Sequence, residues 1–438
     1  MAFDTPADLR NLVIYSVYVR NHGPNGTFAD VEADLARIRQ MGVDLIWLMP
    51  IHPIGKVNRK GTLGSPYSIS DYRGINPEYG TLEDFTRLVE KTHSAGMRIM
   101  IDVVYNHTSH DSLLVRDHPD WFHQDASGKP VTTVPDWSDV IDLKHPNPSL
   151  TAYLHETLQY WAKLGVDGFR CDVASCLPEE FWVSARQAVA KVKPGVIWLA
   201  EAVHTGWVVQ RRANDLPTLS DSEVYRAFDM TYDYDIWTTF RQAVQGQVHF
   251  GRYLELLLLQ YGIYPANFIK MRCTENHDQP RIMAFAPNRE LALTWTAFEA
   301  FNRGAFLIYA GQEAAASHTP SLFDVDKIQW QDIPLQPFFT NLARIKKDPA
   351  LISGKFWLIE NRDTLQAAWR TAQGGLLGVF NVQGLTGEIA VPLPNGAYLD
   401  ELSGKMISVS GGKMRFQPAV ILRYSQPLDF PPFRSSLF

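Results

Sequence analysis

Short apolar runs alternate with amphipathic stretches from the N-terminus to Tyr309. The runs at residues 12–19, 43–49, 97–104, 166–172, 196–200, 227–231, 268–274 and 305–309 read as strands. They are apolar without alternation, the pattern of a parallel sheet covered on both faces. Between them, the junction chemistry repeats. Thr27-Phe28-Ala29-Asp30 is a capping box that opens a helix with Val31, Leu35 and Ile38 on one face, closed by Gly42. Thr81-Leu82-Glu83-Asp84 opens a second, with Phe85, Leu88 and Val89 apolar, closed by Gly96. A third, over residues 149–165, turns Leu150, Leu154, Leu158 and Trp161 inward. Eight strands separated by helices predict an α/β chain, a (β/α)8 TIM barrel with its chemistry at the C-terminal strand ends. An open doubly wound sheet is the competing architecture.

The rhythm breaks twice. Residues 109–146 are rich in Asp, His, Pro and Trp without periodicity and read as a small inserted domain after the third strand. Beyond residue 350 come short runs at 355–359, 366–370, 375–382 and 420–424, punctuated by Gly374-Gly375 and Gly411-Gly412. These predict a C-terminal antiparallel β-sandwich. The expected division is a barrel over 1–108 and 147–350, an insertion over 109–146 and a β domain over 351–438.

Composition narrows the partners. Hydrophobic residues make up 45% and charged residues 20% of the 438-residue chain, ordinary globular values. A net charge of −6 argues against nucleic acid and against an anionic membrane surface. The apolar stretch at 43–54 holds Asp44, His52 and two prolines and is too short to span a bilayer. No basic n-region or apolar h-region opens the sequence, and the three cysteines make no disulfide framework. A cytoplasmic protein with free thiols is the expectation, although a chain whose leader had been removed would read identically. Oligomeric state is not legible.

The candidate chemistry falls at strand ends. Asp102-Val103-Val104-Tyr105-Asn106-His107 closes the third strand, and Gly168-Phe169-Arg170-Cys171-Asp172 the fourth. Trp198-Leu199-Ala200-Glu201 closes the fifth, and Glu275-Asn276-His277-Asp278 follows the seventh. Arg170 and Asp172, two residues apart on a strand, share a face. A fixed cation beside a carboxylate lowers its pKa and keeps it ionised, as a nucleophile must be.

These four segments resemble the signature regions of the α-amylase family of glycoside hydrolases. Gly64-Ser65-Pro66-Tyr67 with Asp71-Tyr72, the Pro135-Asp136 turn, and residues 304–313 resemble it further. The resemblance implies a retaining enzyme cleaving α-1,4-glucosidic bonds of starch-type glucans or maltooligosaccharides by double displacement. Asp172 matches the nucleophile, Glu201 the general acid/base and Asp278 the third acid, which binds sugar hydroxyls. Burial and the nearby Asp172 anion are expected to raise the Glu201 pKa. Tyr67, His107, Arg170, His277 and Asp102 match residues around the substrate, with Asp102 and Asn106 also read as scaffolding. No cofactor is needed for this chemistry. The resemblance does imply a structural Ca²⁺ held by Asn106 with Asp136 or Asp142, but calcium wants six to eight oxygens and the insertion has no Asp-x-Asp-x-Asp loop. No spacing suits zinc.

One departure bears on specificity. Where the family often carries Lys and His shortly after the nucleophile, this chain has Ser175 and Cys176. Weaker contacts to the sugar beyond the scissile bond follow, which opens chain-length preference and the balance of hydrolysis and transfer. The alternatives are a transglycosidase, an enzyme of α-1,6-glucans or sucrose, and a non-catalytic sugar-binding relative. Persistence of all three acids speaks against the last.

Overall fold

The computed structural model describes residues 4–435. In chain order its first strands are β1 (Val13–Val17), β2 (Leu45–Leu48), β3 (Arg98–Val103), β4 (His107–Ser109), β5 (Val140–Asp142), β6 (Gly168–Cys171), β7 (Ile197–Ala200), β8 (Met230–Tyr232), β9 (Lys270–Arg272) and β10 (Ala305–Tyr309). All but β4 and β5 form a closed barrel in the order β1-β10-β9-β8-β7-β6-β3-β2. The eightfold barrel read from the apolar runs is therefore the observed architecture, and the open sheet is not.

The chain packs as two compact units. One is built on Ile14–Asp235 with Thr319–Gln329, the other on Pro6–Val13, Ile236–His318 and residues from Trp330 onward.

In the first unit the parallel register aligns Leu45 with Arg98, Asp102 with Arg170, and Cys171 with Ala200. Helices begin where the capping boxes place them. Thr81 N–H donates to the Asp84 carboxylate at 2.9 Å while Asp84 N–H donates to Thr81 Oγ1 at 3.2 Å, opening the helix Leu82–Ser94. The helix Pro148–Lys163 buries Leu150, Leu154, Leu158 and Trp161, as its periodicity requires. Residues 227–231 were expected as strand, but β8 starts later. Ala227 and Phe228 donate their N–H groups to Val224 O and close a turn after the helix Asp221–Val224. The excursion between β3 and β6 contains the β4–β5 hairpin, pairing His107 with Asp142. Its three-residue strands are too short to show a period.

In the second unit β11 (Lys355–Ile359), β12 (Leu365–Thr371) and β13 (Gly374–Phe380) lead into a four-stranded antiparallel sheet. The short pairs β14 (Glu388–Ala390) with β17 (Lys413–Arg415) and β15 (Gly396–Leu399) with β16 (Met406–Val409) come between, and β18 (Ala419–Tyr424) completes the order β11-β12-β13-β18. Gly375 is required here, since a Cβ would run into the Trp369 carbonyl. One face is sealed by Ala368, Leu377, Val379, Val420 and Leu422. Phe380 packs on Phe298 and Phe301 of the helix Arg289–Phe301, and Trp369 Nε1–H donates to Phe301 O at 2.7 Å. No helix among the described residues is long and apolar enough to cross a membrane.

Candidate active site

Register places the acids before any side chain is considered. Asp172 and Glu201 each follow the last residue of their strands, and those residues, Cys171 and Ala200, are paired. Backbone bonds extend the ladder one step: Asp172 N–H donates to Val103 O at 2.9 Å and Glu201 N–H to Cys171 O at 3.0 Å. Adjacent strands lie about 4.8 Å apart, so the two carboxyl groups start from neighbouring points on one rim. Inward and outward residues alternate along β6: Arg170 turns in, whereas Phe169 packs on Trp198 with ring centroids 5.4 Å apart.

Arg170 gathers the acids. Its Nη1 donates to Asp102 Oδ1 at 2.9 Å and to Asp172 Oδ1 at 2.8 Å, and its Nε donates to Tyr232 Oη at 3.0 Å. Nη2 faces Glu201 Oε2 at 2.9 Å as an ion pair without good hydrogen-bond alignment. Trp47, Tyr67 and Tyr232 present ring faces 5.2–5.6 Å from the guanidinium carbon. The exposures differ: Arg170 and Asp102 side chains are 0% exposed, Asp172 is 9% and Glu201 is 12%. Of these four side chains, only Asp172 and Glu201 keep exposed surface. Asp102 and Arg170 bond to neighbouring protein groups, Asp102 Oδ2 also accepting from Tyr67 Oη at 3.1 Å.

Val173, next after Asp172, sits in the left-handed region at φ 36°, ψ 45°. That conformation is costly for a β-branched residue and survives only where the surroundings enforce it. Val203 and Val208 pack around its side chain, and its N–H donates to Glu201 Oε2 at 2.8 Å. With Oε2 taken by that bond and by Arg170, Oε1 is the Glu201 oxygen left for exchange.

Electrostatics correct one expectation. Three carboxylates share one cation, and burial, followed by the Glu201 charge, pushes the Asp172 carboxyl well above its ordinary value despite Arg170. Burial likewise raises Asp102 from 3.8 to about 7, with Arg170 opposing. The cluster titrates as a unit, not as an independently depressed nucleophile. His107 Nε2 lies 3.9 Å from Asp172 Oδ2, and burial pushes its imidazole below the ordinary value, favouring the neutral ring.

In the second unit, His277 Nε2 lies 3.3 Å from Asp278 Oδ2, and Asp278 N–H donates to Asn276 Oδ1 at 2.9 Å. The His277 side chain is buried whereas Asp278 is partly exposed. The loop is pinned by Glu275, whose buried carboxylate accepts from Arg281 Nη1 at 2.7 Å and Ile282 N–H at 2.8 Å.

The residues expected around calcium have protein partners, and Leu143 N–H donates to Asn106 O at 2.9 Å beside Asp142. The Asn106 amide lies against His107 Nδ1 at 3.3 Å, and the Asp142 carboxylate accepts from Thr133 N–H and Oγ1. Asp136 is exposed, and its carbonyl accepts from Lys60 Nζ at 2.9 Å, the same ammonium that pairs with Asp139 Oδ1 at 3.0 Å. A lysine charge already occupies this corner. Among the described residues no group of three or more His, Cys, Asp or Glu side chains is arranged for a metal.

Sequence reasoning missed Trp47, Tyr232, Val173 and Lys60. Tyr232 lay one residue past an expected strand and Trp47 inside one, so inward parity at strand ends was the available signal. Nothing in the sequence announced Lys60 or the Val173 conformation.

Paired carboxylates at the C-terminal ends of parallel barrel strands, gathered by one buried cation, are the equipment of a (β/α)8 enzyme of the glycoside hydrolase type. The model "Alpha amylase, catalytic domain" matches residues 15–137 and 134–357, and "Bacterial Alpha amylase C-terminal domain" matches 358–422. The chain belongs to the α-amylase family. It is 43% identical to an alpha-amylase from Lactobacillus plantarum of known crystal structure, covering 96% of this chain and 100% of that one with a TM-score of 0.92. It is 32% identical to a noncanonic maltogenic alpha-amylase from Thermotoga neapolitana, over 95% and 99% of the two chains, with a TM-score of 0.84. An alpha-1,4-glucan:maltose-1-phosphate maltosyltransferase from Myxococcus xanthus is 30% identical over 50% of this chain and 34% of its own length. The chain thus spans about a third of the length of the curated maltosyltransferases it matches.

The Asp102 shift sets a pH dependence. With a folded pKa near 7 against 3.8, folding retains a proton that the unfolded chain has released. The contribution is complete below the unfolded value and is lost as pH rises through the folded one. Asp102→Asn removes that titration. Its Tm is expected to fall less steeply than the parent's between about pH 4 and pH 7; an equal or steeper fall would show that Asp102 does not titrate there.

Proposed function

We propose that the chain is a retaining glycoside hydrolase acting on α-1,4-glucosidic bonds of starch-type glucans or maltooligosaccharides. The observation that carries this reading is the register-matched placement of Asp172 and Glu201 one residue past β6 and β7, both held by the two Nη atoms of Arg170. Retaining cleavage needs carboxyl groups about 5–5.5 Å apart. In the reactive state Asp172 is ionised and the shared proton resides on Glu201 Oε1. Asp172 attacks the anomeric carbon as Glu201 gives its proton to the leaving oxygen, producing a glycosyl ester. Glu201, now a carboxylate, takes a proton from water as that water attacks the same carbon and releases Asp172. Asp278 and His277 are assigned to sugar hydroxyls, His107 to the sugar beside Asp172, and the partly exposed Tyr67 to a ring-facing wall.

Transfer to a sugar acceptor is the second reading, supported by likeness to proteins named maltogenic alpha-amylase and maltosyltransferase. The three free cysteines fit a reducing compartment.

On maltoheptaose, Asp172→Asn and Glu201→Gln are each expected to reduce kcat by at least about 10³-fold with binding retained. Full activity in either variant would end the assignment.

We further propose that the insertion corner needs no calcium, because Lys60 supplies the positive charge between Asp136 and Asp139. Dialysis against a chelator should leave Tm unchanged, whereas Lys60→Met should lower it. A chelator-induced drop reversed by calcium would contradict this.

A further inference from the structure

Beside Glu201 lies a cluster that the reaction as described does not use. Val173, Val203 and Val208 are buried together, with Trp137, Cys176 and Trp207 partly buried against them. Trp137 comes from the insertion and Trp207 from the helix Thr205–Ala213 that follows Glu201. Their ring centroids are 5.7 Å apart at 60°. Trp137 also lies 5.1 Å from the His107 ring, and His107 approaches Asp172. The indoles thus extend from the nucleophile's neighbour to the chain segment just beyond the acid.

Polar alternatives along this wall are taken. Ser175 is buried, its hydroxyl accepting from Val203 N–H at 3.3 Å and its carbonyl from Leu219 N–H at 2.7 Å. Cys176 has its thiol pushed up to about 12 by burial, so it presents a neutral surface. The nearest cation, Arg211, is buried, donates Nε to Thr218 Oγ1 at 3.0 Å and lies 5.3 Å from the Trp207 centroid. It fixes the indole and does not face a ligand. What remains for a leaving group or acceptor is an aromatic corner.

We propose that Trp137 and Trp207 form the acceptor site and select leaving groups and acceptors with an apolar face: a pyranose ring, or an aryl or alkyl alcohol. This rests on Glu201 being the acid/base. In the transfer step the acceptor hydroxyl oxygen bonds to the anomeric carbon as the Asp172 ester bond breaks. The hydroxyl proton goes to the Glu201 carboxylate, and Asp172 leaves as carboxylate. Flat apolar rings pack on indoles with a modest gain beyond simple burial, and that gain is the expected source of selectivity.

The test compares kcat/KM for 4-nitrophenyl α-maltoside with that for α-maltosyl fluoride, whose small leaving group cannot reach the corner and needs no acid. Trp207→Ala and Trp137→Ala should each lower the aryl-to-fluoride ratio about tenfold. Trp207→Phe should restore most of it, and the yield of transfer to phenyl β-glucoside should fall in parallel with the ratio. An unchanged ratio in both alanine variants, whether from no loss or from equal losses on the two substrates, would overturn the corner. Absence of any wild-type turnover of maltosyl fluoride would instead overturn the underlying hydrolase reading.

Discussion

One buried guanidinium constrains everything around it. Arg170 has no exposed side-chain surface and touches three carboxylates, so the barrel interior at β3, β6 and β7 holds more negative than positive charge whenever all three are ionised. Such an imbalance in a desolvated site is unfavourable, and retaining a proton relieves it. Burial accordingly holds the Asp102 and Asp172 carboxyls above their ordinary values despite the shared cation. Tyr67 and Tyr232 support the arrangement by fixing Asp102 and Arg170 Nε, and the Trp47 ring faces the cation.

The rim around this cation is built from backbone. Parallel register sets Asp172 and Glu201 one step past paired residues, and the left-handed turn at Val173 points an amide at Glu201. Holding valine there costs on the order of 1–3 kcal/mol, which the packing of Val203 and Val208 must offset. The same apolar cluster carries the two tryptophans. Restraint of Glu201 and the placement of Trp137 and Trp207 are thus two outcomes of one packing solution.

Much of this was legible in the chain. Apolar runs gave the barrel strands, and Thr27 and Thr81 marked helix starts, because those signals are local. The two-residue spacing of Arg170 and Asp172 and the position of Glu201 after an apolar run followed from strand parity. The direction of the Asp172 shift was not legible: the sequence shows a neighbouring cation but not the degree of burial, and burial prevails. Lys60 meeting Asp136 and Asp139 depends on loops joined across more than 70 positions, which no local pattern encodes. The three-residue strands β4, β5, β14 and β17 were equally invisible, being shorter than one readable period.

The central claim is that the rim position after β6 carries the atom that bonds to sugar. A maltosyl fluoride bearing fluorine at C5 slows release of the glycosyl ester and lets it accumulate, so peptide mapping by mass spectrometry reads the attachment site directly. The account predicts a single maltosyl adduct on Asp172. An adduct on Glu201 or Asp278, or inactivation without any adduct, would contradict it.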